Sequence, residues 1–443
     1  MGFTCTLCLS NNKQTRISRV TVREFAALFS DETFEILEAI QKYHPKTLSE
    51  LAVITGKQKS NLSRKLKTLA MEGIVSVNKG VIKMTIPFSQ AQLNLDVISC
   101  TKPTVVSLFS GCGGLDLGFK NAGFDIVFAN DIEPSVKDTY EKNLGHEILI
   151  QDIRSIDKVT AIPSDVDIVL AGIPCQPFSN AGKRGAMTDD RGTLFEQVME
   201  VIDLKSPKIV LFENVRGFLS SKDDKGQPMP ERIREELQKH GYELTYKLLN
   251  ASDYEVPQNR FRVVLVGVRE DIVAKQGQFK FPEPFLDKSA LTVGNVIKDS
   301  VLKDEPQEVW QLSPQARALC LHIPAGGSWK NVPTSYLPDR LKKIRENMAK
   351  YHSPNFYRRF NVDEIMGTIT AAATPENSGI IHPLEDRRYS VREIARFQSF
   401  PDDFKFINCP ISKKYKMIGN AVPPKLGLHI AMALKHQFFK GTE

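Results

Sequence analysis

From Thr104 onward, short apolar runs alternate with stretches of helical spacing, and that rhythm leaves few folds open to the chain. The runs at 105–109, 124–129, 147–151, 167–171, 207–215 and 263–267 are too short for buried helices and too apolar for surface loops. Strands of this kind, separated by helices, form a mostly parallel sheet covered on both faces. The expected architecture is a doubly wound, Rossmann-like α/β domain, which takes its ligands at the carboxyl edge of the strands.

Several residues fall at that edge. The first strand runs into Phe109-Ser110-Gly111-Cys112-Gly113-Gly114, a glycine-rich turn that lets a ligand approach the backbone. Asp131 ends the second strand 20 residues after Gly111, where such folds place an acid that binds ribose hydroxyls. Asp152 ends the third. These features would serve a nicotinamide nucleotide or S-adenosylmethionine alike. The glycine pattern lacks the G-x-G-x-x-G of pyrophosphate binders, which favours an adenosine ligand without phosphates.

The fourth strand stops at Gly172-Ile173-Pro174-Cys175-Gln176-Pro177-Phe178-Ser179. A lone cysteine is more often a packed thiol than a reactive one. Here Pro174 and Pro177 stiffen the turn, and the polar Gln176 and Ser179 mark an accessible loop. Glu213-Asn214 ends the next strand at the same edge, and Gln258-Asn259-Arg260-Phe261-Arg262 adds two arginines. Residues 269–385 lose the alternation and carry scattered Pro and Gly, as expected of an irregular inserted domain. Residues 386–443 return to the first fold.

The first hundred residues have another character. They hold 13 Lys and Arg against 8 Asp and Glu, so +5 of the net +7 lies there, a hint of nucleic acid. A helix is expected to begin within 20–29, and others cover 31–43, 47–55 and 60–69. In the last, Leu62, Leu66 and Leu69 share one stripe. The other face offers Lys59, Ser60, Asn61, Ser63, Arg64 and Lys67, residue types that contact phosphates and base edges, with Lys57 and Lys65 beside them. A hairpin at 73–84 follows. This order resembles a winged helix-turn-helix, the DNA-binding part of small bacterial transcriptional regulators. The chain thus divides into a winged helix-turn-helix at 1–90, a linker at 91–102, a catalytic domain at 103–268 and 386–443, and the insert at 269–385.

Composition excludes little else. A content of 41% hydrophobic and 25% charged residues suits a soluble globular protein, and no apolar run approaches the ~20 residues of a membrane span. The opening residues match a myristoylation pattern that is short enough to arise by chance. Seven scattered cysteines, with only Cys5 and Cys8 closely spaced, suggest free thiols in a reducing bacterial cytoplasm rather than a metal site.

Taken in order, these motifs resemble the DNA (cytosine-5)-methyltransferases of bacterial restriction-modification systems, over roughly 103–268 and 386–443. Residues 109–114 resemble the cofactor loop, Pro174-Cys175-Gln176 the nucleophile loop and Glu213-Asn214-Val215 the acid motif. Gln258, Arg260 and Arg262 match Q-x-R-x-R. Arg392-Glu393 and Arg396-x-Gln398-x-Phe400-Pro401 match the motif after the variable region, and Gly419-Asn420-Ala421-Val422-Pro423-Pro424 the closing one. Two positions depart from the pattern: Ile132 stands where an aromatic often stacks on adenine, and Tyr389-Ser390 where Leu-Thr or Leu-Ser is common.

The resemblance implies S-adenosylmethionine as cofactor, held by Phe109, Ser110, Gly111, Gly113, Gly114, Asp131, Ile132, Asp152, Ile153, Pro174 and Asn420. It implies double-stranded DNA as substrate, with the target cytosine flipped out of the helix. Cys175 would attack carbon 6, Glu213 would steady N3 and the 4-amino group, Arg260 would grip O2, and Arg262 would orient Cys175 or a phosphate. Gln176 and Ser179 would touch DNA, as would Lys59, Asn61, Arg64 and Lys65 of the N-terminal domain. The insert would read bases, with Lys330, Asn331, Arg340 and Arg358 as candidates. A cognate endonuclease, and operator DNA bound through 1–90, complete the expected partners. Methylation of RNA is a rival reading, which the added DNA-binding module and the long variable region disfavour.

Overall fold

A computed structural model of the chain describes residues 3–8, 14–20, 31–71, 75–78, 81–84, 102–173, 192–223, 226–298, 308–347, 357–371 and 381–439. The chain forms two compact units, Met1–Cys100 and Thr101–Glu443.

In the first unit, Phe3–Cys8 (β1) and Gln14–Val20 (β2) pair antiparallel, from Phe3 opposite Val20 to Cys8 opposite Gln14. Of the span 20–29 in which a helix is expected to begin, Val20 closes β2, and 21–29 lie outside the described residues. The overlooked signal is alternation. Phe3, Cys5 and Leu7 interleave with Thr4 and Thr6, a strand period. The helices Asp31–Tyr43, Leu48–Thr55 and Lys59–Met71 follow. Thr47 caps the second by accepting from the Glu50 amide at 3.2 Å, and Gly56 ends it at φ +64°. Val75–Asn78 (β3) and Val81–Met84 (β4) form an antiparallel pair. Ile36, Ile40, Leu51, Leu62, Leu66, Leu69, Val75 and Ile82 make one buried cluster. The opposite face of Lys59–Met71 leaves Lys59, Asn61, Arg64 and Lys67 exposed, with Lys65 half-buried. Lys57 is drawn off this face by an ion pair with Glu35 at 2.8 Å.

The second unit is built on Thr104–Leu108 (β5), Asp125–Asp131 (β6), Leu149–Ile150 (β7), Ile168–Ala171 (β8), Ile209–Val215 (β9) and Tyr242–Asn250 (β10). Two further strands, Gln258–Asn259 (β11) and Phe261–Arg269 (β12), precede the insert, and Met366–Gly367 (β13) lies within it. The main sheet runs β10-β12-β9-β8-β5-β6-β7. Its five strands from β9 to β7 are parallel, while β12 is antiparallel to both neighbours. Neighbouring side chains take opposite faces, so Val105, Leu170 and Leu211 enter one core and Val106, Val169 and Val210 the other.

The chain order reverses between β5 and β8. In register, Leu108 lies beside Ala171 and Asn130, and Ala171 beside Phe212. The segments after β5, β6 and β8 and the end of β9 therefore share one edge of the sheet, at the switch point where α/β folds open a crevice.

Two helices close the unit on itself. Gly114–Asn121, after β5, packs against Pro424–Phe438 near the end of the chain. A Cβ on Gly118 would stand 2.5 Å from the Leu428 nitrogen, and one on Gly427 3.1 Å from the Leu115 carbonyl oxygen. Glycine on both surfaces permits that approach.

The insert expected at 269–385 is shared between two cores. Phe279, Val293, Met366 and Ile369 sit in the main one, and β13 pairs in parallel with β11. A separate cluster gathers Leu312, Leu319, Trp329, Val332, Leu341, Ile344 and Ile381. Arg345 fastens this part by donating to the carbonyl oxygens of Trp329, Lys330 and Val332 at 2.9–3.1 Å.

Candidate active site

The loop after β5 is shaped by backbone conformations that few residues tolerate. Phe109 has φ +58°, Gly111 +57° and Gly113 +84°. A Cβ on Gly113 would come within 2.8 Å of Leu144, and one on Gly114 within 2.3 Å of the Val422 carbonyl oxygen. Gly111 differs, since a Cβ there would meet nothing within 4 Å. The loop is thus packed from behind and open at Gly111.

Asp131 secures this turn. Its carboxyl accepts from the amides of Gly111 and Glu133, each at 2.8 Å. Burial pushes the Asp131 carboxyl above the usual carboxylate range, and the amides of Glu133, Gly111 and Ile132 offset part of that rise. Ile132 beside it is 63% exposed. Glu133 is held down to about 2, chiefly by Lys413, whose ammonium donates to it at 3.0–3.1 Å. A half-buried carboxyl for hydroxyls, an exposed apolar side chain for a flat ring and an open backbone turn suit the adenosine part of S-adenosylmethionine.

Asp152 and Ile153 follow β7 at the same edge of the sheet. Asp152 caps the short helix Ile153–Ser155 and pairs with Arg154 at 2.6 Å, while the Ile153 side chain is buried in the core. Only their backbone and the rim of the carboxylate remain for a ligand.

At the other end of the edge, Glu213 and Arg262 meet. Arg262 lies opposite Val215 and Glu213 opposite Val264, which puts both side chains on one face of the sheet. Arg262 Nε stands 2.7 Å from Glu213 Oε1, the two side chains 10% and 12% exposed. Two side chains of opposite sign thus meet where little water reaches them. Arg262 also donates to the Phe261 carbonyl oxygen at 2.8 Å.

Arg260 does not share that setting, which corrects the expectation that it grips a substrate oxygen. It is fully buried and donates to the carbonyl oxygens of Ile369 at 2.8 Å, Gly419 at 2.9 Å and Ala421 at 3.0 Å. Gln258, also fully buried, accepts from the Ile369 amide at 2.9 Å and donates to Gln398 at 2.5 Å. Gln398 in turn donates to the carbonyl oxygens of Ile418 and Ala421, both at 2.8 Å. These three side chains tie together 258–260, 369, 397–398 and 418–421. Asn420 is left exposed between two fixed carbonyls. At its neighbour Gly419 a Cβ would strike the Thr370 carbonyl oxygen at 2.3 Å.

Pro174, Cys175, Gln176 and Ser179 lie outside the described residues. Of the base-reading candidates, Lys330 and Arg340 are exposed. Asn331 accepts from the Ser328 amide at 2.9 Å, and Arg358 is occupied by Glu364 at 2.5 Å and by the Gly326 and Gly327 carbonyl oxygens. Sequence reasoning missed Asp116, Tyr140 and Lys413. Asp116 had a visible signal, an acid amid the apolar Leu115, Leu117 and Phe119.

Comparison with known proteins gives this geometry its context. Residues 103–436 match the model of the C-5 cytosine-specific DNA methylase family. The chain belongs to that family. It is 34% identical over 343 residues to the type II methyltransferase M.NgoFVII of Neisseria gonorrhoeae, covering 76% of this chain and 87% of that one. With M.Sau96I of Staphylococcus aureus it shares 35% over 342 residues, 75% of each chain. Among solved structures, a putative DNA modification methyltransferase encoded within an Escherichia coli prophage aligns with a TM-score of 0.54 at 22% identity, over 76% of this chain and all of the other. That likeness concerns the fold. Residues 28–93 match a second family model, HVO_A0114. The protein is a type II DNA (cytosine-5-)-methyltransferase, and membership in the family implies S-adenosylmethionine as methyl donor. Among the described residues no helix is long and apolar enough to cross a membrane.

Proposed function

We propose that the enzyme methylates carbon 5 of a cytosine flipped out of a specific DNA sequence, through transient covalent attack by Cys175. The observation that carries this reading is the Glu213–Arg262 pair, which lies at the sheet edge beside the end of β8, four residues before Cys175.

Carbon 5 is a weak nucleophile until a thiolate adds to carbon 6. Cys175 supplies that thiolate, and the addition leaves carbon 5 enamine-like. Glu213 supplies a proton to N3 as the thiolate pushes charge into the ring, and accepts a hydrogen bond from the 4-amino group. Arg262 holds the Glu213 carboxyl in place at 2.7 Å, and its remaining edge suits O2, the role first expected of Arg260. Bound S-adenosylmethionine supplies an electrophilic methyl group, held by the 109–114 loop, Asp131, Ile132 and Asn420. Loss of the carbon 5 proton to a base or a water then expels the thiol.

The inserted segment 269–385, with Lys330 and Arg340, reads the target sequence. The exposed face of Lys59–Met71 supports a DNA-binding regulatory role for residues 1–90, acting as a winged helix-turn-helix on operator DNA. In this reading the enzyme protects cytoplasmic DNA from a cognate endonuclease. The test is trapping on duplex DNA carrying 5-fluorocytosine at the target. The expected result is a covalent protein–DNA adduct that Cys175→Ala cannot form, and an adduct or methyl transfer by the alanine variant would overturn the mechanism.

A further inference from the structure

One carboxyl beneath the cofactor loop has no part in that chemistry. Asp116, on the helix Gly114–Asn121, is 1% exposed. Ser107 Oγ donates to its Oδ1 and the Tyr140 hydroxyl to its Oδ2, both at 2.7 Å. Ser110 Oγ donates in turn to Ser107, to Oγ at 2.9 Å and to the carbonyl oxygen at 3.1 Å. The chain of hydroxyls runs from the loop, through the end of β5, to the buried acid.

Leu108 and Phe109 lie between the two serines, and the positive φ of Phe109 is costly for a bulky side chain and persists only where its surroundings over-determine it. The Asp116 chain fixes the turn from below, and Asp131 holds Gly111 from the neighbouring strand. Burial raises the Asp116 carboxyl, while Tyr140, Ser107 and Ser110, with His146 nearby, favour its charged form. A leucine would suit this helix face, between buried Leu115 and Leu117, at less cost in desolvation. Stability of the helix therefore does not account for an acid here. The shape of the loop does.

We propose that Asp116 is a positioning residue for the methyl donor: through Ser107 and Ser110 it holds the 109–111 turn in the form that receives S-adenosylmethionine. The proposal rests on the assignment of that loop to the cofactor. Its test uses the full chain, with calorimetric titration of S-adenosylhomocysteine alongside steady-state methylation at saturating DNA. Asp116→Leu is expected to raise both the Kd and the donor KM at least ~10-fold, the scale of losing a hydrogen bond to a charged group, with kcat at saturating donor within ~3-fold. Asp116→Asn keeps an oxygen for Ser107 and should stay within ~3-fold of the wild type on every measure. Ser107→Ala and Tyr140→Phe each remove one link and should fall between, which keeps the test intact if the leucine variant does not fold. Unchanged affinity in Ser107→Ala and Asp116→Leu, or a collapse of kcat at constant KM, overturns the proposal. Wild-type protein that fails to bind S-adenosylhomocysteine removes the loop assignment itself, whereas equal binding by the wild type and Asp116→Leu removes only the role given to Asp116.

Discussion

Arg260 and Arg262 stand two residues apart and end in opposite kinds of place. Arg260 spends its guanidinium on three backbone carbonyls from distant parts of the chain and is fully buried. Arg262 shares one carboxylate and stays at the rim of the crevice. The first holds the closing loop against the start of β12, and the second, in the proposed mechanism, serves the reacting base. A motif that names both arginines does not distinguish the clamp from the tool.

The difference can be broken by substitution. Arg260→Ala strands three buried carbonyls and should cost on the order of 4 kcal/mol of stability, read as a large fall in denaturation midpoint. Arg262→Ala leaves Glu213 nearly dry without its partner and should lower that midpoint as well, but by clearly less. If the two variants lose stability equally, the division of labour is wrong. Glu213→Gln should slow methyl transfer by at least ~100-fold, about 2.7 kcal/mol, with the fold intact and S-adenosylhomocysteine binding preserved.

Acid sharpens the contrast between the closing segment and the cofactor loop. Glu393 is desolvated, yet hydrogen bonds from His382 and Arg387 outweigh that burial and hold it down to about 2. Its contribution is complete above the ordinary glutamate pKa of ~4.3 and is lost as pH falls toward 2. Asp116 and Asp131 are raised instead, so their protonation on acidification relieves a burial cost. Hydrogen exchange below pH 4.5 should therefore show the segment around Glu393 opening before the loop at 109–114. The reverse order would contradict these assignments. The smallest expected effect is at Ile132, where Ile132→Trp should tighten donor binding about 3-fold by offering an aromatic surface to adenine. A weaker Kd by titration would mean that the exposed side chain does not face the ring.

The sheet was legible because its strands are apolar on both faces and bounded by glycine, as at Ile168–Ala171, which is entirely buried. Helix ends were legible where a cap is local, as at Thr47 and Gly56. What escaped depends on partners remote in sequence. Ile369 and Gly419, which decide the fate of Arg260, lie 109 and 159 residues away. The strands at Phe3–Cys8 and Gln14–Val20 escaped for another reason, since their alternation is short and rich in threonine and serine.

The glycine-to-glycine contact between Gly114–Asn121 and Pro424–Phe438 bears on how the enzyme comes into being. The helix that starts the donor-binding half waits, through synthesis of about three hundred further residues, for the partner that covers it. A nascent or prematurely terminated chain leaves the Gly118 surface bare and its loop unsupported.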